Sequence, residues 1–134
     1  MLTVIVVDDQ PVNCIVLKAM LEQLGARVLE AGGGAEGLAL LNSTPCDVLL
    51  FDVHMPGLDG LEMVRRMRAG SGPNKETVSV AVTADTFIPF EHMASYGADG
   101  ILEKPITMAA VSKALGMSRR PPGAVGGERS GRAG

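Results

Sequence analysis

Asp52 closes the apolar run Val48-Leu49-Leu50-Phe51 and opens into the turn-prone stretch His54-Met55-Pro56-Gly57. A carboxylate at the tip of a buried strand, followed by a loop, is where a parallel α/β sheet presents reactive groups. Other residues stand at comparable places. Asp8 and Asp9 end the run Val4 to Val7, Thr83 ends Val78 to Val82, and Lys104-Pro105 follows Gly100 to Leu102. Three carboxylates brought together repel one another, and the cluster is stable when some take up protons or a cation neutralises them. A hard divalent cation, Mg²⁺ or Mn²⁺, is the economical solution, because it prefers oxygen ligands and accepts one or two carboxylates beside a phosphoryl oxygen. With the cation in place, a free oxygen of Asp52 can attack phosphorus and form an aspartyl phosphate. Lys104 then supplies a point charge, Thr83 a hydroxyl, and backbone N–H groups after Asp52 further donors for the phosphoryl oxygens.

Taken singly, each of these residues has an ordinary explanation. A strand-end Asp is often a helix cap or turn residue, a Thr a plain strand residue, and a Lys a surface charge. Only elements that carry all of them to one edge make a site. Thr3 to Val7 is a β-branched run, and Val12, Ile15, Val16, Ala19 and Met20 behind it match the i, i+3, i+4, i+7, i+8 spacing of a helix stripe. Pro11 suits the first turn of that helix, and Gly25 stops it just after Leu24. The alternation repeats with strands near Arg27–Ala31, Val48–Phe51, Val78–Val82 and Gly100–Leu102. Helices are expected near Ala35–Leu41, Leu61–Arg68, Pro89–Tyr96 and Met108–Leu115. Five strands alternating with five helices predict an α/β fold, a doubly wound parallel sheet between helices, with the C-terminal strand ends along one edge.

The chain's 134 residues, 46% of them hydrophobic, suffice for one core and not for two ordinary domains. Residues 1–117 form the expected domain, and the Gly/Pro/Arg-rich stretch 118–134 is expected to be a disordered tail. No segment reaches the roughly 18 apolar residues of a membrane span, so a soluble, cytoplasmic protein is expected, without membrane association. Cys14 and Cys46 lack metal or CxxC spacing and read as buried thiols. His54 and His92 are too few for a zinc cluster, and neither neighbours a GxSxG serine. The net charge of −3 is uneven. Residues 118–134 hold Arg119, Arg120, Arg129 and Arg132 against one acidic residue, leaving the body at −6 and arguing against a nucleic-acid surface.

These motifs resemble a response-regulator receiver domain, the phosphoacceptor module of two-component signalling and phosphorelays. The likeness rests on Val4 to Val7 running into Asp8-Asp9, and on Asp52-Val53-His54-Met55-Pro56-Gly57-Leu58-Asp59-Gly60. Val82-Thr83-Ala84 and Gly97-Ala98-Asp99-Gly100 leading into Glu103-Lys104-Pro105 complete it, so that it covers residues 3 to about 116. The resemblance implies a flavodoxin-like sheet of order 2-1-3-4-5. It implies Asp52 as phosphoacceptor, Asp9 as a direct Mg²⁺ ligand, Asp8 as a ligand largely through water, and the His54 carbonyl in the metal shell. Thr83 and Lys104 would hold phosphoryl oxygens, with the phosphoryl group coming from a histidine kinase or phosphotransfer protein. In the family, Thr83 and an aromatic residue three positions before the lysine move on phosphorylation. That position is Ile101 here, which has no ring, so a smaller rearrangement or a different reporter is expected around Thr83, Ile101 and Pro105. The His54 side chain, beside the path of an attacking water, is expected to affect the lifetime of the phosphate.

Two other readings compete. An aspartyl-nucleophile phosphatase usually carries a second Asp two residues after the first, where this chain has His54. A phosphorylation-independent interaction module draws support only from Ile101. No output domain is recognised after Leu115, so the expectation is a stand-alone receiver or the receiver of a larger protein such as a hybrid kinase, and no enzyme beyond chemistry on itself.

Overall fold

The computed structural model describes residues 1–119, so residues 120–134 of the expected tail lie outside the described residues. The chain runs β1 (Thr3–Val7), α1 (Pro11–Gln23), β2 (Arg27–Ala31), α2 (Gly34–Ser43), β3 (Val48–Asp52) and α3 (Gly60–Ala69). It continues through β4 (Val78–Thr83), α4 (Phe90–Ser95), β5 (Gly100–Glu103) and α5 (Met108–Leu115). All pairings are parallel and the order is β2-β1-β3-β4-β5, as expected.

Alternate side chains of a strand face opposite ways, and both faces of this sheet are covered. Val4 and Val6 join Leu17 and Leu21 of α1 and Val111 of α5 in one core, whereas Ile5 and Val7 join Leu41 of α2, Met63 and Met67 of α3 and Met93 of α4 in the other. That two-sided burial explains why β1 and β3 read as continuous apolar runs, and β4 as one broken by Ser79, while the edge strands β2 and β5 are mixed. Local signals set the helix ends: Pro11 stands at the first turn of α1, and Asp59 and Thr107 cap α3 and α5 by accepting from Glu62 N–H and Ala110 N–H. Gly25, at φ 88°, supplies the left-handed residue past α1.

The helix expected from the apolar spacing is present as α1, but the fold buries a different stripe of it. The stripe Val12, Ile15 and Val16 does not face the core; these residues are 64%, 63% and 45% exposed, while Cys14, Leu17 and Leu21 are buried. The physical reason is that α1 is apolar on two faces, so periodicity alone offers two stripes and only the packing against β1 and α5 selects one. Leu21→Ala should therefore cost about 2–5 kcal/mol through the cavity it leaves. Ile15→Ser should stay within about 0.5 kcal/mol, and urea titration reads both changes. At the C-terminal end, Ser118 N–H bonds Leu115 O and Arg119 Nε bonds Glu76 O, so the chain stays attached past residue 117.

Candidate functional site

The sheet order reverses direction between β2-β1 and β1-β3, and ligands of open α/β sheets bind at such a switch point, beyond the C-terminal ends of the strands. Asp8 and Asp9 follow β1 there, and Asp52 ends β3 beside them. Carboxylate oxygens of the three lie within 4.8 Å of one another, with Asp8 and Asp52 buried and Asp9 half-buried. Lys104 follows β5 and places Nζ 3.9 Å from Asp8 Oδ2, while its N–H bonds Thr83 O at 3.0 Å. Thr83 ends β4, one residue beyond the Asp52↔Val82 register pair, and is buried. Five expected site residues from four strand ends are thus gathered at one edge.

Backbone bonds hold the cluster. Asp8 N–H donates to Ala31 O at 3.2 Å, Gln10 N–H donates to Asp8 Oδ1 at 2.9 Å, and the Cys14 thiol donates to Asp8 O at 3.4 Å. The loop after Asp52 turns through Gly57 at φ 77° and closes where Gly60 N–H bonds Val53 O at 2.9 Å. Burial pushes the Asp52 carboxyl above its usual range and Asp8 pushes it the same way, Lys104 and the His54 N–H pull it back, and Asp9 raises it again. An all-oxygen cluster carrying more negative charge than Lys104 balances fits a hard divalent cation.

The remaining expected residues divide. The peptide before Pro105 is cis, and Pro105 lines a cavity of about 330 Å³ with Asn13, Val16, Lys104 and Ile106. Ile101 sits opposite Ala81 in β5, partly buried against the second core behind the site rather than in it. His54 projects an exposed imidazole whose Nε2 meets Asp85 Oδ2 at 2.7 Å. Asp85 escaped the sequence reading. Its place two residues after Thr83 marked only a turn, and its partner is 31 residues away. The hydrogen bond to His54, then that from Phe87 N–H, hold the Asp85 carboxyl below the usual carboxylate range.

The raised Asp52 predicts a pH-dependent penalty. A carboxyl whose folded-state pKa exceeds its unfolded one loses stability as pH rises through the folded value. In chelator, Asp52→Asn should therefore melt higher than wild type at neutral pH, with the gap closing as pH falls below the ordinary carboxylate range. Thermal unfolding across pH reads both. Added Mg²⁺ should raise the wild-type midpoint more than that of the variant.

The fold and site define a phosphoacceptor-type signalling module, and the comparisons agree. Residues 4–116 match the family model for the response regulator receiver domain, and the chain belongs to that family. It is 32% identical over 115 residues to protein PilH of Pseudomonas aeruginosa, covering 86% of this chain and 95% of PilH. It is 33% identical over 107 residues to the sensor histidine kinase GacS of Pseudomonas protegens, there spanning 78% of this chain and only 12% of the kinase. The Vibrio cholerae chemotaxis protein CheY4 superposes with a TM-score of 0.79 at 31% identity, over 86% of this chain and 96% of that one. The receiver domain of a P. aeruginosa sensor histidine kinase, with magnesium in its active-site cleft, gives 0.78 at 29% identity, over 85% and 93% of the two chains. Receivers are signalling domains of two-component systems rather than conventional enzymes. Phosphorylation on Asp and use of Mg²⁺ are general features of the family. Among the described residues no helix is long and apolar enough to cross a membrane.

Proposed function

We propose that Asp52 accepts a phosphoryl group from a phosphohistidine on a histidine kinase or phosphotransfer protein, and that the modified domain switches its binding to a downstream partner. The observation that carries this reading is the gathering of Asp8, Asp9 and Asp52 within 4.8 Å, with Lys104 beside them. Asp9, Asp52 and the His54 carbonyl would hold Mg²⁺ or Mn²⁺ directly, and Asp8 largely through water. The bound cation would neutralise charge on the carboxylates and phosphoryl oxygens. An Asp52 oxygen attacks phosphorus, the P–N bond to the donor imidazole breaks, and the released imidazole retains or takes up a proton. Thr83 Oγ1 and Lys104 Nζ donate to phosphoryl oxygens as charge redistributes. Hydrolysis reverses the modification: water attacks phosphorus, the P–O bond to Asp52 breaks, and carboxylate and inorganic phosphate are left.

The donor must bring its imidazole to this edge. The surface there is apolar, with Val12 and Ile15 exposed in the first turns of α1, and Val16 and Ile106 beside Lys104 and Pro105. With Ile101 lacking a ring, the switch centres on Thr83 and the β4–α4 loop. Free Cys14 and Cys46 fit a reducing cytoplasm. Incubation with Mg²⁺ and acetyl phosphate, read by intact mass, tests the reading. One phosphoryl adduct is expected, and failure to form any would decide for a phosphorylation-independent module.

A further inference from the structure

We propose that Arg68, acting through Asp99, is a positioning residue for phosphoryl transfer: it fixes where β5 begins, and so where Lys104 stands at the opposite end of that strand. The proposal rests on the receiver reading of Asp52 and concerns the placing of the ammonium group beside it. Arg68 lies in the last turn of α3, at the N-terminal edge of the sheet and away from the acceptor. Its guanidinium offers N–H donors in a rigid fork. Nη1 donates to Lys75 O at 3.1 Å and to Thr77 O at 2.8 Å. Nε and Nη2 converge on Gly97 O at 3.3 and 2.7 Å, and Nη2 also reaches Ser79 Oγ at 3.1 Å and Asp99 Oδ2 at 3.0 Å. A Cβ at residue 97, whose φ is 115°, would stand 2.8 Å from Arg68 Nε, so glycine is what admits the fork. Asp99 then closes the start of β5 against β4. Its N–H donates to Ser79 O at 2.7 Å, and its Oδ2 accepts from Ser79 N–H at 2.9 Å as well as from Arg68.

β5 depends on such a bracket. It has four residues, begins with a glycine and, as an edge strand, has a ladder on one side, so few bonds hold its register. Its far end is closed by Lys104 N–H on Thr83 O at 3.0 Å, and from there Lys104 Nζ comes within 3.9 Å of Asp8 Oδ2. α3 completes the connection. Its first residue, Gly60, stands against the Asp52 carbonyl, and its ten residues run about 15 Å back to the edge where Arg68 lies. Asp52 and Lys104 are therefore tied by two routes, one across the sheet and one through α3, Arg68, Asp99 and β5. The carboxylate end of this bracket is partly solvated, with Asp99 34% exposed, so much of its hold comes from the fork on Gly97 O and on buried Ser79.

Adduct formation from acetyl phosphate at saturating Mg²⁺ is followed by intact mass in wild type, Arg68→Lys, Asp99→Asn and the double variant. Arg68→Lys keeps the charge and loses the fork, while Asp99→Asn keeps an oxygen for Ser79 N–H and loses the charge that faces Arg68. Each should slow formation about three- to tenfold, short of the roughly 10²-fold that a misplacement of about 1 Å can cost. The double variant should be slower than the singles by less than the product of their effects, because both act on one bracket. Mg²⁺ affinity by calorimetry should stay at the wild-type value, since the residues assigned to the metal lie at the ends of β1 and β3. The Cε–Hε NMR signals of Lys104 should move toward those of an exposed lysine in each variant, a change that loss of stability alone does not produce. Where Arg68→Lys lowers the folded fraction, Asp99→Asn carries the comparison. Wild-type rates, unmoved Lys104 signals, multiplied effects in the double variant, or a fall in Mg²⁺ affinity matching the fall in rate would each overturn the positioning role while leaving Asp52 as acceptor. A wild type that forms no adduct overturns the receiver reading and this inference with it.

Discussion

Asp52→Asn should take up no phosphoryl group under conditions that modify the wild type stoichiometrically. The amide oxygen occupies nearly the same volume as the carboxylate it replaces, so packing at the end of β3 is kept. Its lone pairs are delocalised into the C–N bond and it carries no charge, so it is a poor nucleophile for phosphorus. One of the three negative groups that would attract the cation is lost as well. Adduct formation should fall at least about 10³-fold, the scale seen when an essential reacting group is removed. Chelation of divalent ions should abolish the wild-type adduct too, because Lys104, the basic residue paired with Asp8 among the described residues, carries one charge against those of Asp8, Asp9 and an incoming phosphoryl group. Intact mass after incubation with acetyl phosphate reads all three conditions. An adduct that survived Asp52→Asn would place the chemistry on another residue.

Gly60→Ala should be the most damaging single methyl group near the site. A Cβ at residue 60 would stand 2.1 Å from the Asp52 carbonyl oxygen and 2.6 Å from Phe51 Cδ2. Neither neighbour can swing aside, since one is strand backbone and the other a fully buried ring. Either the start of α3 or the end of β3 must move, at a cost of about 3 kcal/mol or more, the upper range for overpacking. The same displacement misplaces the acceptor, so the adduct rate should fall together with the urea midpoint. Gly34→Ala meets Leu58 O at 2.0 Å and should act similarly on the far side of the loop. Gly33→Ala meets nothing within 4 Å and should cost no more than about 1 kcal/mol, as an alanine at a helix N-cap does. If Gly60→Ala matched Gly33→Ala in stability and rate, the tight approach of α3 to Asp52 would be refuted.

Much of this architecture was legible residue by residue. The expected strands differ from β1 to β5 by at most one residue, because runs buried on both faces are continuously apolar and end abruptly at polar residues. α2 was the loosest match, the expected Ala35–Leu41 lengthening to Gly34–Ser43. The expected Pro89–Tyr96 shortened to Phe90–Ser95, as helix ends do where no side chain caps them. α1 showed where pattern fails, since the apolar stripe easiest to count, Val12 to Met20, is largely the exposed one. Arg68 was read only as part of α3, yet its guanidinium donates to the carbonyls of Lys75, Thr77 and Gly97, to Ser79 Oγ and to Asp99.

By itself the sequence determined the order of elements, the parallel sheet and the identity of the residues at its C-terminal edge. These follow from local periodicity, turn chemistry and the rule that strand ends of a doubly wound sheet converge. Only the tertiary structure decided which face of α1 is buried, how near Lys104 lies to Asp8, and that His54 reaches Asp85. Those outcomes depend on the register and packing of segments far apart in the chain, where the energy of each contact is set by neighbours that no local pattern specifies.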